Sequence, residues 1–383
     1  MAKRLLIFSL TYYPFVGGAE VAIKEIADRI TDFDAVLLTA KLKPELPKEE
    51  MLGRIKVIRL GQGNIWDKYL YAFRAARRAY QLQSFQKFDL AWAMMANYAG
   101  LAAWLFRWRS RVPYVLTEQS GDSDFFIWIR VWFWLPIYRS MYKRAVRLQA
   151  ISQSLARRAK KFGHRKKEIA VIPNGVDLDV FTNSFSVAQC RDFRHQLTIA
   201  DEEFVVITTS RLVYKNAIDD LIKAINCARY KLGVPARLLI VGAGSDQRIL
   251  EALAVKKGVA QYVAFIGQID HREMPKYLAA ADVFCRPSLS EGLGNSFLEA
   301  MAFGLPIIAT PVGGIVDFLR DGETGLVCQV RQPLSIAQAL QRYYCDQQLY
   351  RHIQTTGQQL VRAQYDWNTI AVAMNKLFIS CLA

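Results

Sequence analysis

Short apolar runs separated by helix-length segments recur along almost all of this 383-residue chain, and that alternation restricts the fold more than any other feature. Runs at residues 4–10, 34–40, 55–60, 89–94, 113–118, 147–152 and 169–173 have the length of strands. Segments with helical spacing, such as 21–30 and 69–85, separate most of them. Short strands that are apolar on both faces and alternate with helices predict a parallel sheet covered on both sides. The turn Pro173-Asn174-Gly175 closes this set, and a less regular stretch follows over 177–201. The alternation then restarts at 204–210, 237–241, 263–267, 282–285, 306–309 and 326–329. The chain therefore reads as two doubly wound α/β domains with a boundary near Phe181, each large enough for its own core. Residues 367–382 read as a closing amphipathic helix.

Composition excludes several classes. With 52% hydrophobic and 22% charged residues the chain is globular, not disordered or fibrous. Six scattered cysteines never form a CxxC pair, so neither a disulfide framework nor a zinc spacing is visible, and a reducing compartment is expected. The four histidines begin at His164, which leaves no His-rich metal site in the first half. Residues 1–10 could open a signal peptide, but Tyr12, Tyr13 and Pro14 follow without a small-residue cleavage site, so the run is read as a buried first strand and the protein as cytoplasmic. No apolar run reaches the roughly 18 residues needed to span a bilayer.

The net charge of +16 is unevenly placed: residues 100–170 hold 15 Lys or Arg against four acids, together with five of the eight tryptophans. Within them, residues 125–138 carry Phe125, Phe126, Trp128, Trp132, Phe133, Trp134 and Tyr138, and Arg139, Lys143, Arg144 and Arg147 come next. Aromatic residues beside a basic cluster suit a helix lying in the headgroup layer of an anionic membrane, so residues 125–147 are expected to make the protein peripheral on the inner face of the cell membrane. The other reading is an interior helix filling the first domain's core. Nucleic acid is not expected, because the aromatics cluster in an apolar run and do not interleave with Lys and Arg as a stacking platform would.

The segment 286–302, RPSLSEGLGNSFLEAMA, carries the chemistry. A strand ends near Pro287, a glycine-bearing loop follows, and a helix starts close to Gly294 or Asn295. Open amides and the positive dipole end at a helix start form an anion site. Glu291 before the helix and Glu299 on its second turn could accept hydrogen bonds from hydroxyls. On spacing alone, an ordinary helix start with a dipole-favoured acid explains the segment equally well.

The segment resembles the E-x7-E signature of glycosyltransferase family 4, through Glu291, Gly292, Gly294, Glu299, Ala300, Gly304, Pro306 and the run Thr310-Pro311-Val312-Gly313-Gly314. Residues 14–20 (PFVGGAE) resemble the family's glycine-rich loop after the first strand, and 172–177 (IPNGVD) its segment closing the first domain. Residues 210–216 (SRLVYKN) resemble its basic motif, and 241–244 and 321–325 match as well. This resemblance implies the GT-B fold, two Rossmann-like doubly wound domains facing a central cleft. It assigns 1–180 to the acceptor side, 181–365 to nucleotide-sugar binding, and the C-terminal helix 366–383 to packing back on the first domain.

The same resemblance implies a retaining glycosyltransferase that moves a sugar from a nucleotide-sugar donor to a glycan or lipid-linked acceptor, in cell-surface polysaccharide or glycolipid synthesis. Arg211 and Lys215 would hold the diphosphate, Glu291 the transferred sugar and Glu299 the ribose hydroxyls. Gly17, Gly18, Gly242, Gly292, Leu293, Gly294 and Asn295 would complete the donor site. No cofactor or metal is implied. Many relatives carry a histidine where this chain has Gln119; Gln119 and Glu118 are the acceptor-side candidates, and Gln119 cannot titrate near neutrality. A degenerate nucleotide-sugar-binding protein of the same fold is the alternative. A dinucleotide oxidoreductase is disfavoured, because no GxGxxG follows the first strand and Gly242-Ala243-Gly244 lacks a third glycine.

Overall fold

The computed structural model describes residues 3–163, 169–182 and 184–382. His164 and the bases Arg165, Lys166 and Lys167 of the basic segment lie outside them. The described chain forms two compact units: Met1–Gly175 with Trp367–Ala383, and Val176–Asp366.

The first unit is built on an eight-stranded sheet. Its strands are β1 (Lys3–Phe8), β2 (Phe33–Ala40), β3 (Glu49–Leu52), β4 (Ile55–Leu60), β5 (Leu90–Met94), β6 (Tyr114–Glu118), β7 (Arg147–Ala150) and β8 (Ile169–Val171), in the order β3-β4-β2-β1-β5-β6-β7-β8. All pairs are parallel except β3 with β4. β5 and β6 are buried at every position, as a strand covered by helices on both faces must be. The sequence pattern did not reveal β3: Glu49-Glu50-Met51-Leu52 is a half-exposed edge, where charge is tolerated because one side of the strand has no partner. The helix Trp367–Ser380 completes this unit's core. Trp367, Ile370, Met374 and Phe378 join Ile7, Phe33 and Trp92 in one buried cluster, each contributing about 1.5–3 kcal/mol of apolar burial.

The second unit has six parallel strands, β9 (Phe204–Thr209), β10 (Ala236–Val241), β11 (Val263–Gly267), β12 (Val283–Arg286), β13 (Ile307–Ala309) and β14 (Leu326–Val327), ordered β11-β10-β9-β12-β13-β14. The stretch 177–201, read as irregular, contains a helix at Val187–Gln196, started by a capping box between Ser186 and Gln189. In both sheets the strand order reverses direction at one point, between β1 and β5 in the first and between β9 and β12 in the second. Loops leaving the carboxyl ends of those strands diverge there, which is where open α/β sheets bind ligands.

The aromatic segment is not one helix. It breaks into helices Asp124–Val131 and Leu135–Arg144 around a 3-10 turn at Trp132–Trp134, with Pro136 in the first turn of the second, where a missing amide is harmless. Ile127, Val131, Tyr138, Met141 and Tyr142 face the core. Phe125, Phe126, Trp128, Trp132 and Phe133 are exposed, Phe133 to 82%. The interior-helix reading therefore holds only for the tyrosine face. Among the described residues, no helix is long and apolar enough to cross a membrane.

Candidate functional site

In the second unit, the basic motif and the acidic loop leave the two strands of the switch point. β9 runs into Ser210-Arg211, and β12 runs into the loop carrying Glu291. The two loops are joined by the Leu289 amide, which donates to the Lys215 carbonyl at 2.7 Å. Asn216 is buried and donates to the Arg211 carbonyl at 2.6 Å, fixing the turn between the two bases. Arg211 is exposed and its guanidinium enters no ion pair among the described residues; Lys215 is half-buried.

Gly242 supports this turn from below. A Cβ there would lie 2.0 Å from the Ser210 carbonyl, so the close approach of two backbones requires glycine. Its role is thus to let the basic loop pack.

The sequence reading missed Arg286, the last residue of β12, which organises the acidic loop. Arg286 as a whole is 6% exposed. It donates to Glu291 Oε2 and Ser296 Oγ at 2.8 Å each, to Ser288 Oγ at 3.1 Å and to the Thr209 carbonyl at 3.2 Å, and lies 4.7 Å from the Phe297 ring centre. A charged residue ending an otherwise apolar strand was the available signal. The other oxygen of Glu291 accepts from the Gly292 amide at 3.1 Å. Gly314 donates to the Glu291 carbonyl at 3.2 Å, and at Gly313, with φ near +58°, a Cβ would come within 1.9 Å of that same oxygen. Glu291 is held at both its side chain and its backbone.

The helix Asn295–Phe303 begins at Gly294, which has no side chain to cap the first turn. Leu293 is buried, so this position can offer a ligand only its backbone. One helical turn beyond Asn295, the Glu299 carboxylate is 3.1 Å from His271 Nε2. That carboxylate, more than anything else near the ring, holds the His271 pKa above its ordinary value.

In the first unit, Gly17 and Gly18 start the helix Gly18–Arg29 after β1. The Gly18 carbonyl lies 3.5 Å from Asn174 Nδ2, and Asn174 Oδ1 accepts from Gln119 Nε2 at 3.2 Å. Asn174 thereby brings together Gly18 and Gln119, which are 101 positions apart in the numbering. Glu118 is placed differently from the expectation. The residue is 2% exposed, its carboxyl accepts from the Tyr142 hydroxyl at 2.6 Å, and Tyr138 and Tyr142 oxygens lie 3.1 Å apart behind it. Burial pushes its pKa up. Glu118 is the last residue of β6, which is buried throughout, whereas Gln119 lies just past the strand end and is partly exposed.

Residues 190–360 match the family model of glycosyl transferases group 1, and residues 16–180 match that of Glycosyltransferase Family 4. Among curated relatives, a GDP-mannose-dependent alpha-(1-6)-phosphatidylinositol monomannoside mannosyltransferase of Mycobacterium tuberculosis is 32% identical over 255 residues, 63% of this chain and 65% of its own length. The alpha-monoglucosyldiacylglycerol synthase of Acholeplasma laidlawii is 32% identical over 160 residues, 42% of this chain and 40% of its own. The chain thus spans less than two thirds of the length of these relatives. Among solved structures, sucrose-phosphate synthase from Thermosynechococcus elongatus superposes with a TM-score of 0.85 at 22% identity, covering 99% of this chain and 98% of that one.

Proposed function

Because the chain belongs to the group 1, family 4 glycosyltransferases and has their GT-B architecture, we propose that it transfers a sugar from a nucleotide-sugar donor to a glycan or lipid-linked acceptor with retention of configuration. The observation that carries this reading is the coupling of two loops at the second switch point, one bearing Arg211 and Lys215 and the other a clamped Glu291. A diphosphate leaving group gains negative charge as the glycosidic bond lengthens. Cations from Arg211 and Lys215 stabilise that change more than they stabilise the bound donor. Amides at the start of the helix Asn295–Phe303 add to the same field.

Both oxygens of Glu291 already accept hydrogen bonds, from Arg286 and from Gly292. Its orientation is set before any ligand arrives, which suits holding a sugar hydroxyl. In this reading a donor phosphate oxygen takes the acceptor proton on the face the leaving group vacates, and Glu291 is not the base. Glu299 takes the ribose hydroxyls. Gln119, held by Asn174, is a neutral hydrogen-bonding group for the acceptor side.

Release of nucleoside diphosphate across a panel of UDP-, GDP- and ADP-sugars, each offered with lipid and glycan acceptors, tests the activity. Binding without release from any donor would favour the degenerate alternative. A lipid-linked acceptor is the preferred one, since the names of the two relatives specify a phosphatidylinositol mannoside and a diacylglycerol glycolipid. The exposed rings of 125–133 with the exposed Arg139, Lys143 and Arg144 support a peripheral position on an anionic membrane. Trp104, which donates to Ser140 Oγ at 3.0 Å, and the exposed Trp108, whose ring centre lies 5.9 Å from that of Trp104, extend that face. Neutralising Arg139, Lys143, Arg144 and Arg147 should weaken sedimentation with phosphatidylglycerol vesicles. Wild-type protein that stays in the supernatant would end this part of the reading.

A further inference from the structure

His271 is used by none of the roles above, yet its position is well defined. It sits on the 3-10 turn His271–Glu273, just beyond β11, with Nε2 3.1 Å from Glu299 Oε1. Among the described residues this is the only hydrogen bond to the Glu299 carboxylate. The imidazole is held from the other side by Phe181, a buried ring that meets it edge-on at 5.2 Å between centres. The charged groups acting on the imidazole are all carboxylates: Glu299 from the helix Asn295–Phe303, Asp270 from the adjoining residue, and Asp177 from the segment that opens the second unit. They favour the imidazolium, and Glu299 contributes most.

A carboxylate that must bind a ribose diol has to present an oxygen in a fixed direction, and a long glutamate side chain does not do so by itself. We propose that His271 is a positioning residue for the donor: it anchors one oxygen of Glu299, leaves the other to the ribose hydroxyls, and makes nucleotide affinity fall when the imidazole loses its proton. The inference rests on the ribose role of Glu299. Below its pKa, His271 donates a charge-assisted bond and places a positive charge beside an anionic ligand. As pH rises through that pKa the charge is lost, the bond weakens and affinity drops. Glutamine at this position keeps a donor but does not titrate.

Calorimetric titration of the wild type, His271→Gln, His271→Ala and Glu299→Gln with UDP, GDP and ADP, at about pH 6 and about pH 8.5, tests this. For the nucleotide that binds, the wild-type Kd should rise across the interval by roughly tenfold more than that of His271→Gln. Ionisation of the nucleotide's own phosphate affects both proteins equally and cancels in the comparison. His271→Ala should bind more weakly than His271→Gln at both pH values. Parallel profiles for wild type and His271→Gln, with Glu299→Gln weakened, would overturn the role of His271 and keep the ribose reading. Unchanged affinity in Glu299→Gln would overturn both.

Discussion

The two switch points have the same topology but different chemistry. At the second, between β9 and β12, a buried guanidinium ties together a carboxylate, two hydroxyls and a strand carbonyl, and glycines let neighbouring backbones almost touch. At the first, between β1 and β5, a neutral chain of amides runs from Gln119 through Asn174 to the Gly18 carbonyl, and the nearby carboxyl is closed into the core. Charge that must stabilise a developing diphosphate has to be fixed in advance, because reorienting it during the reaction would cost much of the gain. An acceptor hydroxyl is neutral until late in the reaction, so a neutral amide can hold it. On the proposed reading, one architecture thus supplies a charged site for the donor and a neutral, polar one for the acceptor.

Five substitutions should sharpen or break this contrast. Lys215→Ala or Arg211→Ala should lower kcat by roughly a hundredfold or more, as removing one preorganised electrostatic group does, with an unchanged melting temperature; undiminished turnover would take either residue out of the mechanism. Arg286→Leu should come next. It strands Glu291 and three other hydrogen-bonding partners, lowering both turnover and stability, the latter by about 1–3 kcal/mol because Glu291 retains some access to water. If chemical denaturation finds Arg286→Leu as stable as the wild type, the clamp is not energetically coupled to the fold.

Gln119→Ala should raise KM for the acceptor by about tenfold while leaving nucleotide affinity alone; a change confined to nucleotide affinity would move Gln119 to the donor side. Glu118→Gln should have the smallest effect on turnover. Its visible consequence is in stability against pH. A folded-state pKa raised by burial favours the protonated form, so this contribution is complete below the ordinary glutamate range and is lost as pH rises through the raised value. The wild type should therefore lose melting temperature relative to Glu118→Gln over that interval, and parallel curves would deny the shift.

Much of this was legible in the sequence, for identifiable reasons. Each apolar run of β1, β2, β9, β10, β12 and β13 is largely buried on both faces, so its composition alone marks it as an internal parallel strand. β3 escaped because an edge strand can be charged, and the helix Val187–Gln196 because its one strong signal is the Ser186–Gln189 cap. Glu291 and Glu299 were visible as a spacing, and the family resemblance gave that spacing a meaning. Arg286, Asn174 and His271 were not singled out. Each is defined by a contact across the fold, to Thr209, to Gly18 or to Glu299, and no local pattern encodes a partner 28 to 156 positions away.

The chain leaves the first unit at Gly175 and re-enters it at Trp367, and these two points touch: a Cβ on Gly175 would collide with the Trp367 ring at 2.7 Å. On the other side of the same crossing, the Val176 amide donates to the Tyr365 carbonyl at 2.6 Å. The second unit is therefore a guest whose ends are already joined, while its host lacks a wall of its core until the last helix arrives. A ribosome making this chain from its N-terminus releases the guest complete and the host unfinished. The first unit's core closes only when Phe378 has been added, so the order of synthesis sets the order in which the two units can complete their cores.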